Sequence, residues 1–252
     1  MLFRSLLLIN KYNMKYISLI LCLLFSPAWS AALIYDPEQN KILHQQGEDQ
    51  VRSIASITKL MTAMVVLESK NDLSAMVTLD SRVGTALPQG QYTKLELMHA
   101  MLVHSDNAAA ETLAQNHPGG RFQFVKDMNL RATKMGLQNT KFIDPSGLSV
   151  FNVSTMQELA VLVYTSSEYE LIRSISTLPW VSLTKKTLPN TSSGLLSKFQ
   201  NVVITKTGFT NHAGFCAGMV IVNRGKELVV IVLGEPSKHR RLLAVDQLTK
   251  TI

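Results

Sequence analysis

The 252-residue chain is poor in cysteine: Cys22 and Cys216 are its only two, too few for a disulfide framework. It also lacks a large excess of charge of either sign. Its 25 basic and 18 acidic residues give +7, but Arg4, Lys11 and Lys15 fall in an acid-free stretch of 30 residues at the amino end. Beyond that stretch 22 basic residues face 18 acidic ones, and the resulting +4 is too small for a nucleic-acid footprint. Repeats and low-complexity tracts are absent. With 46% hydrophobic and 17% charged residues, the chain is too apolar for a disordered tail and can bury a sizeable core. The apolar run at the amino end, Ile17 to Phe25, is nine residues interrupted only by Ser18. As a helix such a run reaches about 14 Å, against a hydrocarbon core of ~30 Å.

What is present begins with that run. Lys11 and Lys15 precede it and Pro27-Ala28-Trp29-Ser30 follows, with small Ala28 and Ser30 at the cleavage positions. This is the pattern of a secretory leader. Residues 1–30 are expected to be removed, with Met14 an alternative start, leaving a single domain over 31–252 without an integral membrane anchor. Bulky Leu21 before Cys22 argues against lipid attachment there. Cys216 is then alone and is expected to serve packing.

Ala32–Tyr35 and Ile42–His44 flank the turn-rich Asp36-Pro37-Glu38-Gln39-Asn40 and read as a hairpin. From Ser56 to Lys70 the apolar period changes to three and four, through Ile57, Leu60, Met61, Met64, Val65 and Leu67, which predicts a buried helix. Helical patterns recur over 94–115, broken at 104–107, and over 121–136. Thr155 and Glu158 have the form of a capping box opening a helix to about Ser166. Strands are expected over 202–210, 214–222 and 227–234, then a helix over 237–250. Two terminal strand groups pairing into one antiparallel sheet, flanked by helices and with the helical middle inserted, make an α+β fold.

Three short motifs carry chemistry: Ser56-Ile57-Thr58-Lys59, Ser105-Asp106-Asn107 and Lys206-Thr207-Gly208. Singly the first two are weak, and Ser182-Leu183-Thr184-Lys185 and Ser69-Lys70-Asn71 are decoys. Ser56, at a helix start, lies near unpaired amides, and Lys59 three residues on shares its face. A serine hydroxyl needs a base, and a lysine base must fall from about 10.4 to near 7 or 8 through burial or a second cation. Lys206 is the candidate cation. Ser182, between Pro179 and Pro189, reads as extended, where i and i+3 face opposite ways. Thr207 and Gly208, followed by Phe209, suggest an edge strand on which a peptide backbone docks. His99 and His104 share no helical face for a metal, and His212 reads as a loop residue.

In this order, at separations of 49 and 101 residues, the motifs resemble those of the penicillin-recognising serine D,D-peptidases. Arg52 to Ala63 is similar to the nucleophile region of the low-molecular-mass penicillin-binding proteins. The stretch Asn139 to Ser149, running into Asn152-Val153-Ser154-Thr155, and Lys206 to Asn211 with Ala213-Gly214 look most like the D-alanyl-D-alanine endopeptidase branch. The resemblance implies a periplasmic enzyme acting on peptidoglycan stem peptides, without cofactor or metal, that β-lactams acylate. It implies Ser56 as the acylated nucleophile, Lys59 as general base and Ser105 as proton relay to the leaving amine. Asn107 would hold the peptide, Lys206 would be the electrostatic partner on the Thr207-Gly208 strand, and the backbone amides of Ser56 and Phe209 would form the oxyanion hole. Arg241, with Arg240 as the alternative, would bind the substrate carboxylate. A class A β-lactamase would need a deacylating Glu with Asn four residues on. Glu111, Glu158, Glu168 and Glu170 are followed at that spacing by Gln115, Leu162, Ile172 and Ser174. Larger carboxypeptidases of the family add a β-rich domain and a membrane helix, so a soluble or loosely bound periplasmic protein is expected; both activities attack a D-Ala carbonyl, and the motifs leave the carboxypeptidase open as the alternative to the endopeptidase.

Overall fold

A computed structural model of the chain describes residues 30–69 and 72–252; the expected leader, short of Ser30, lies outside them. The expected hairpin is present as β1 (Ala31–Asp36) and β2 (Lys41–Gln46). The carboxyl-terminal strands are β3 (Val202–Thr210), β4 (Gly214–Asn223) and β5 (Lys226–Glu235). All five join in one antiparallel sheet in the order β2-β1-β5-β4-β3, so strands from the two ends of the chain meet at β1 and β5. The sheet leaves β3 at an edge. Its neighbour β4 pairs Gly218 with Lys206 and Cys216 with Gly208.

Both faces of the sheet are covered. Leu33, Val229 and Ile231 point to one side, where they pack with Leu60 and Met64 of α1 (Thr58–Glu68). The helical middle continues as α2 (Lys94–Val103), α3 (Asn107–Gln115), α4 (Gly120–Lys134), α5 (Met156–Ser167) and α6 (Glu170–Ser176). The opposite face carries Ile34, Val230 and Val232 and meets Leu195 of α7 (Ser193–Lys198) and Val245 and Leu248 of α8 (Lys238–Thr249). Strand alternation sends neighbours to opposite faces, so double coverage explains why Leu228 to Leu233 is an unbroken apolar run. Cys216 is a free thiol buried in the first core.

The local signals differ from their expected form in three places. Ser56 does not begin the α-helix: it lies in a single 3-10 turn, Ala55–Ile57, ahead of α1, and no side chain caps either start. At α5 only half of the expected capping box forms. Thr155 accepts from the Glu158 amide, but the Glu158 carboxylate instead accepts from Asn139 and Thr140. A long-range demand outcompetes the local one. The complete box is at α2, where Thr93 and Glu96 cap each other. The short helices α6 and α7 were not marked by any strong period in the sequence. The decoy serine, Ser182, is exposed on a small hairpin strand, Trp180–Ser182.

Ile231 is 0% exposed between two partner strands. Ile231→Ala is expected to lower the unfolding free energy by about 2–5 kcal/mol, read as a lower urea midpoint at unchanged m-value.

Candidate active site

The three motifs converge. Thr58-to-Glu68 helix α1 carries Lys59 into the interior at 0% exposure, and edge strand β3 does the same with Lys206. Lys59 Nζ donates to Ser56 Oγ at 2.9 Å and to Asn107 Oδ1 at 2.8 Å, and also to the Ser146 carbonyl. Lys206 Nζ donates to Ser105 Oγ at 2.9 Å and to the Thr207 carbonyl at 2.9 Å. Among the described residues neither lysine makes an ion pair with a carboxylate. Burial therefore dominates, and it brings Lys59 down to about 7 against the smaller upward pull of Asp144, Asp106 and Glu111. Lys206 is held well below its ordinary value by burial, reinforced by the positive charges of Lys59 and Arg241.

The partners of Lys59 orient its lone pair. A neutral amine has two N–H bonds and one lone pair. The Asn107 amide oxygen and the Ser146 carbonyl can only accept, so both N–H bonds go to them. The third direction, toward Ser56 Oγ, is left for the lone pair. Ser56 has the one partner atom that can return a proton along that line.

Backbone geometry brings the serines into place. Ser105 has φ of +62°, a left-handed conformation uncommon outside glycine, in the turn between α2 and α3. Ala55, before the nucleophile, has φ of +46°. Gly147, at φ of +82°, lies directly behind it: a Cβ there would come within 2.0 Å of the Ala55 carbonyl oxygen. On the other side, a Cβ on Gly208 would lie 2.9 Å from the Ser56 amide nitrogen. Glycine at 208 thus lets β3 run alongside the Ser56 amide.

The sequence motifs left out a supporting frame. Asp144 accepts from the amides of Ser146 at 2.8 Å, Gly147 at 2.6 Å and Ser149 at 2.6 Å, folding the segment into a tight turn. Asn152, fully buried, accepts from Ile143 and Asp144 amides and donates to the Asp144 carbonyl and to Thr58 Oγ1. Thr62 Oγ1 donates to the Pro145 carbonyl at 2.6 Å. This bracing presents the Ser146 carbonyl to Lys59. The cluster Asp144-Pro145-Ser146-Gly147 is a turn signal visible in the sequence, but its target on α1 is not. Asp106 similarly caps α3 through Ala109 and accepts from Thr85 and Ala86, tying a distant loop to the site.

The remaining candidates are placed as follows. Asn107 binds Lys59 through its oxygen. Thr207 is buried, its hydroxyl within 3.2 Å of Thr191 Oγ1. Phe209 is half-exposed at the sheet edge and stacks on Phe215 at 4.2 Å. Arg241 is buried rather than presented to solvent, with Nη1 3.5 Å from the Cys216 carbonyl and Nε without a hydrogen-bond partner. Arg240 is turned instead toward Glu235 at 4.0 Å. Among the described residues no group of three His, Cys, Asp or Glu side chains could hold a metal, and no helix is long and apolar enough to cross a membrane.

The family model described as D-alanyl-D-alanine carboxypeptidase matches residues 27–237. The chain belongs to this family. A D-alanyl-D-alanine endopeptidase of Pseudomonas aeruginosa is 37% identical over 248 residues, covering 88% of this chain and 79% of that protein. One from Escherichia coli is 37% identical, covering 88% and 76%. Among solved structures, a penicillin-binding protein of Listeria monocytogenes in its ampicillin-bound form superposes with a TM-score of 0.82 at 31% identity, over 89% of this chain and 96% of that one. The α+β architecture is thus that of the D,D-peptidases.

Gly147→Ala forces a Cβ into the Ala55 carbonyl on a left-handed backbone. The variant is expected to lose at least about tenfold in the rate of β-lactam labelling, measured by gel fluorescence with a fluorescent penicillin, because displacement of the nucleophile by a fraction of an ångström has effects of that order.

Proposed function

We propose that the chain is a serine D,D-peptidase of the periplasm that cleaves D-alanyl peptide bonds of peptidoglycan stem peptides, as an endopeptidase on cross-links. The observation that carries this reading is Lys59: a fully buried amine, near pH 7 in its titration, 2.9 Å from Ser56 Oγ and with no carboxylate paired to it. A base titrating close to the operating pH is the condition for efficient proton abstraction from a hydroxyl.

Ser56 Oγ attacks the D-alanyl carbonyl carbon while its proton passes to Lys59 Nζ. The developing oxyanion is met by the backbone amides of Ser56 and Phe209, the two sides between which Gly208 permits close approach. The C–N bond then breaks as the proton taken up by Lys59 is relayed through the Ser105 hydroxyl, held by Lys206, to the leaving amine nitrogen, so that Ser105 keeps its hydroxyl and Lys59 is neutral again. Water hydrolyses the ester and restores Ser56. The donor end of the Asn107 amide and the open edge of β3 hold the peptide, and Arg241, whose charge already acts on Lys206, supplies the positive field for its carboxylate. The 37% identity to proteins named endopeptidases supports the cross-link as substrate. A terminal D-Ala carboxypeptidase is the second reading, since the matching family carries that description.

β-Lactams enter the same chemistry, with the ring amide as the bond that breaks. The carboxylates that would activate a deacylating water are otherwise engaged: Glu111 pairs with Arg121 at 2.6 Å, and Glu158 holds Asn139 and Thr140. The acyl-enzyme therefore persists.

Intact mass after brief penicillin exposure should show one adduct on the wild type and none on Ser56→Ala; equal labelling of both would defeat the assignment. Purified muropeptides should lose cross-linked dimers, whereas loss of the terminal D-Ala of pentapeptides alone would make the enzyme a carboxypeptidase. The acylation rate should climb about tenfold per pH unit below pH 7 and level off above it, as Lys59 loses its proton at about 7. Lys59→Ala should lower that rate by about 10²- to 10⁴-fold in stopped-flow measurements with a chromogenic β-lactam.

A further inference from the structure

Away from the lysines, one carboxylate lacks the partner its burial demands. Glu235, the last residue of β5, is 5% exposed, and its Oε2 is buried without a hydrogen-bond partner. Arg240, itself half-exposed, approaches only to 4.0 Å. The other neighbour is the side chain of Ser30, which hydrogen-bonds the carboxyl group. Burial still holds that group above the ordinary carboxylate range. Glu235 lines a cavity of about 180 Å³ together with Ser30, Ala32, Arg240 and Leu243, between the head of β1 and helix α8. The sheet fixes this arrangement, since Ala31 pairs with Leu233 across β1 and β5.

The same place is where the sequence ends its leader. Hydrolysis of the Ser30–Ala31 bond by a leader-processing protease consumes one water and leaves a carboxylate on the departing Ser30 and an amine on Ala31, which takes up a proton. The Ser30 hydroxyl leaves Glu235 at that moment. An ammonium with three N–H donors appears one residue away, at the head of a strand where Ala31 pairs with Leu233 of β5, two residues before Glu235. Each charge alone is strongly unfavourable when buried, and together they satisfy each other.

We propose that Glu235 is the binding site for the α-ammonium of the processed chain, and that this pair clamps β1 to β5 once the leader is gone. The proposal rests on reading residues 1–30 as a removable leader, and the test separates the two. Intact mass of the exported protein should correspond to a chain beginning at Ala31; a different first residue overturns the leader reading and the clamp with it. With Ala31 confirmed, thermal unfolding is compared for the exported chain and Glu235→Gln, each with its terminus free or selectively Nα-acetylated. Either change alone should lower Tm by about 3 °C or more, and the second should add little to the first. A Glu235→Gln chain as stable as the wild type, or more so, would show an unpaired carboxylate whose removal relieves a cost. Fully additive losses would equally overturn the clamp. If Glu235→Gln fails to fold, acetylation of the wild type decides: no loss of Tm overturns the proposal.

Discussion

Two ammonium groups buried side by side with no counter-ion between them set the terms for the rest of this molecule. Lys59 and Lys206 are both 0% exposed, and among the described residues no carboxylate pairs with either. Such groups survive folding only if the protein satisfies their hydrogen bonds and lets a proton go. The braces are accordingly uncharged oxygens: Asn107, the Ser146 and Thr207 carbonyls, and the two serines. Acids remain a step removed. Asp144 spends its oxygens on the turn that carries Ser146, and Asp106 on capping α3, so both influence Lys59 through space without ion-pairing to it. A direct Asp–Lys pair would keep the amine charged and abolish its use as a base.

This constraint explains why the site is assembled from so many elements. A single helix can place Ser56 and Lys59 on one face, but it cannot dry them. Drying takes β3 on one side, the Asp144–Asn152 segment on another and the α2–α3 turn on a third. Each approaches closely enough to need an unusual residue: glycine at 208 and 147, and left-handed backbone at 105 and 55. Strain of this kind collects where geometry is imposed by surrounding contacts.

What could be read from the sequence divides along the same line. The carboxyl-terminal strands were legible almost to the residue because alternation, a Gly-containing turn and β-branched composition all agree there. Ser56, Lys59, Ser105 and Lys206 were legible as a set through motif order. The frame around them was not. Asn152 reaches Thr58 and the Pro145 carbonyl meets Thr62 across gaps of 94 and 83 residues that no local pattern spans, and Glu158 abandons its capping role for Asn139, a choice only tertiary packing can make. Arg241, expected to bind the substrate carboxylate, is buried with its Nη1 against the Cys216 carbonyl and its charge acting on Lys206, an environment that no local pattern in the sequence announces.

Besides Ser56 and the Thr207 carbonyl, the partners of Lys59 stand 48 and 87 residues from it in the chain, and that of Lys206 stands 101 residues away. No fragment of the polypeptide can lower either lysine on its own. An extended, unfolded chain therefore carries an ordinary serine beside an ordinary charged lysine, as inert as any in the proteome. Reactivity switches on only when the strand that carries Lys206 is packed against the Ser56 turn, so the fold itself acts as the safety catch on the nucleophile.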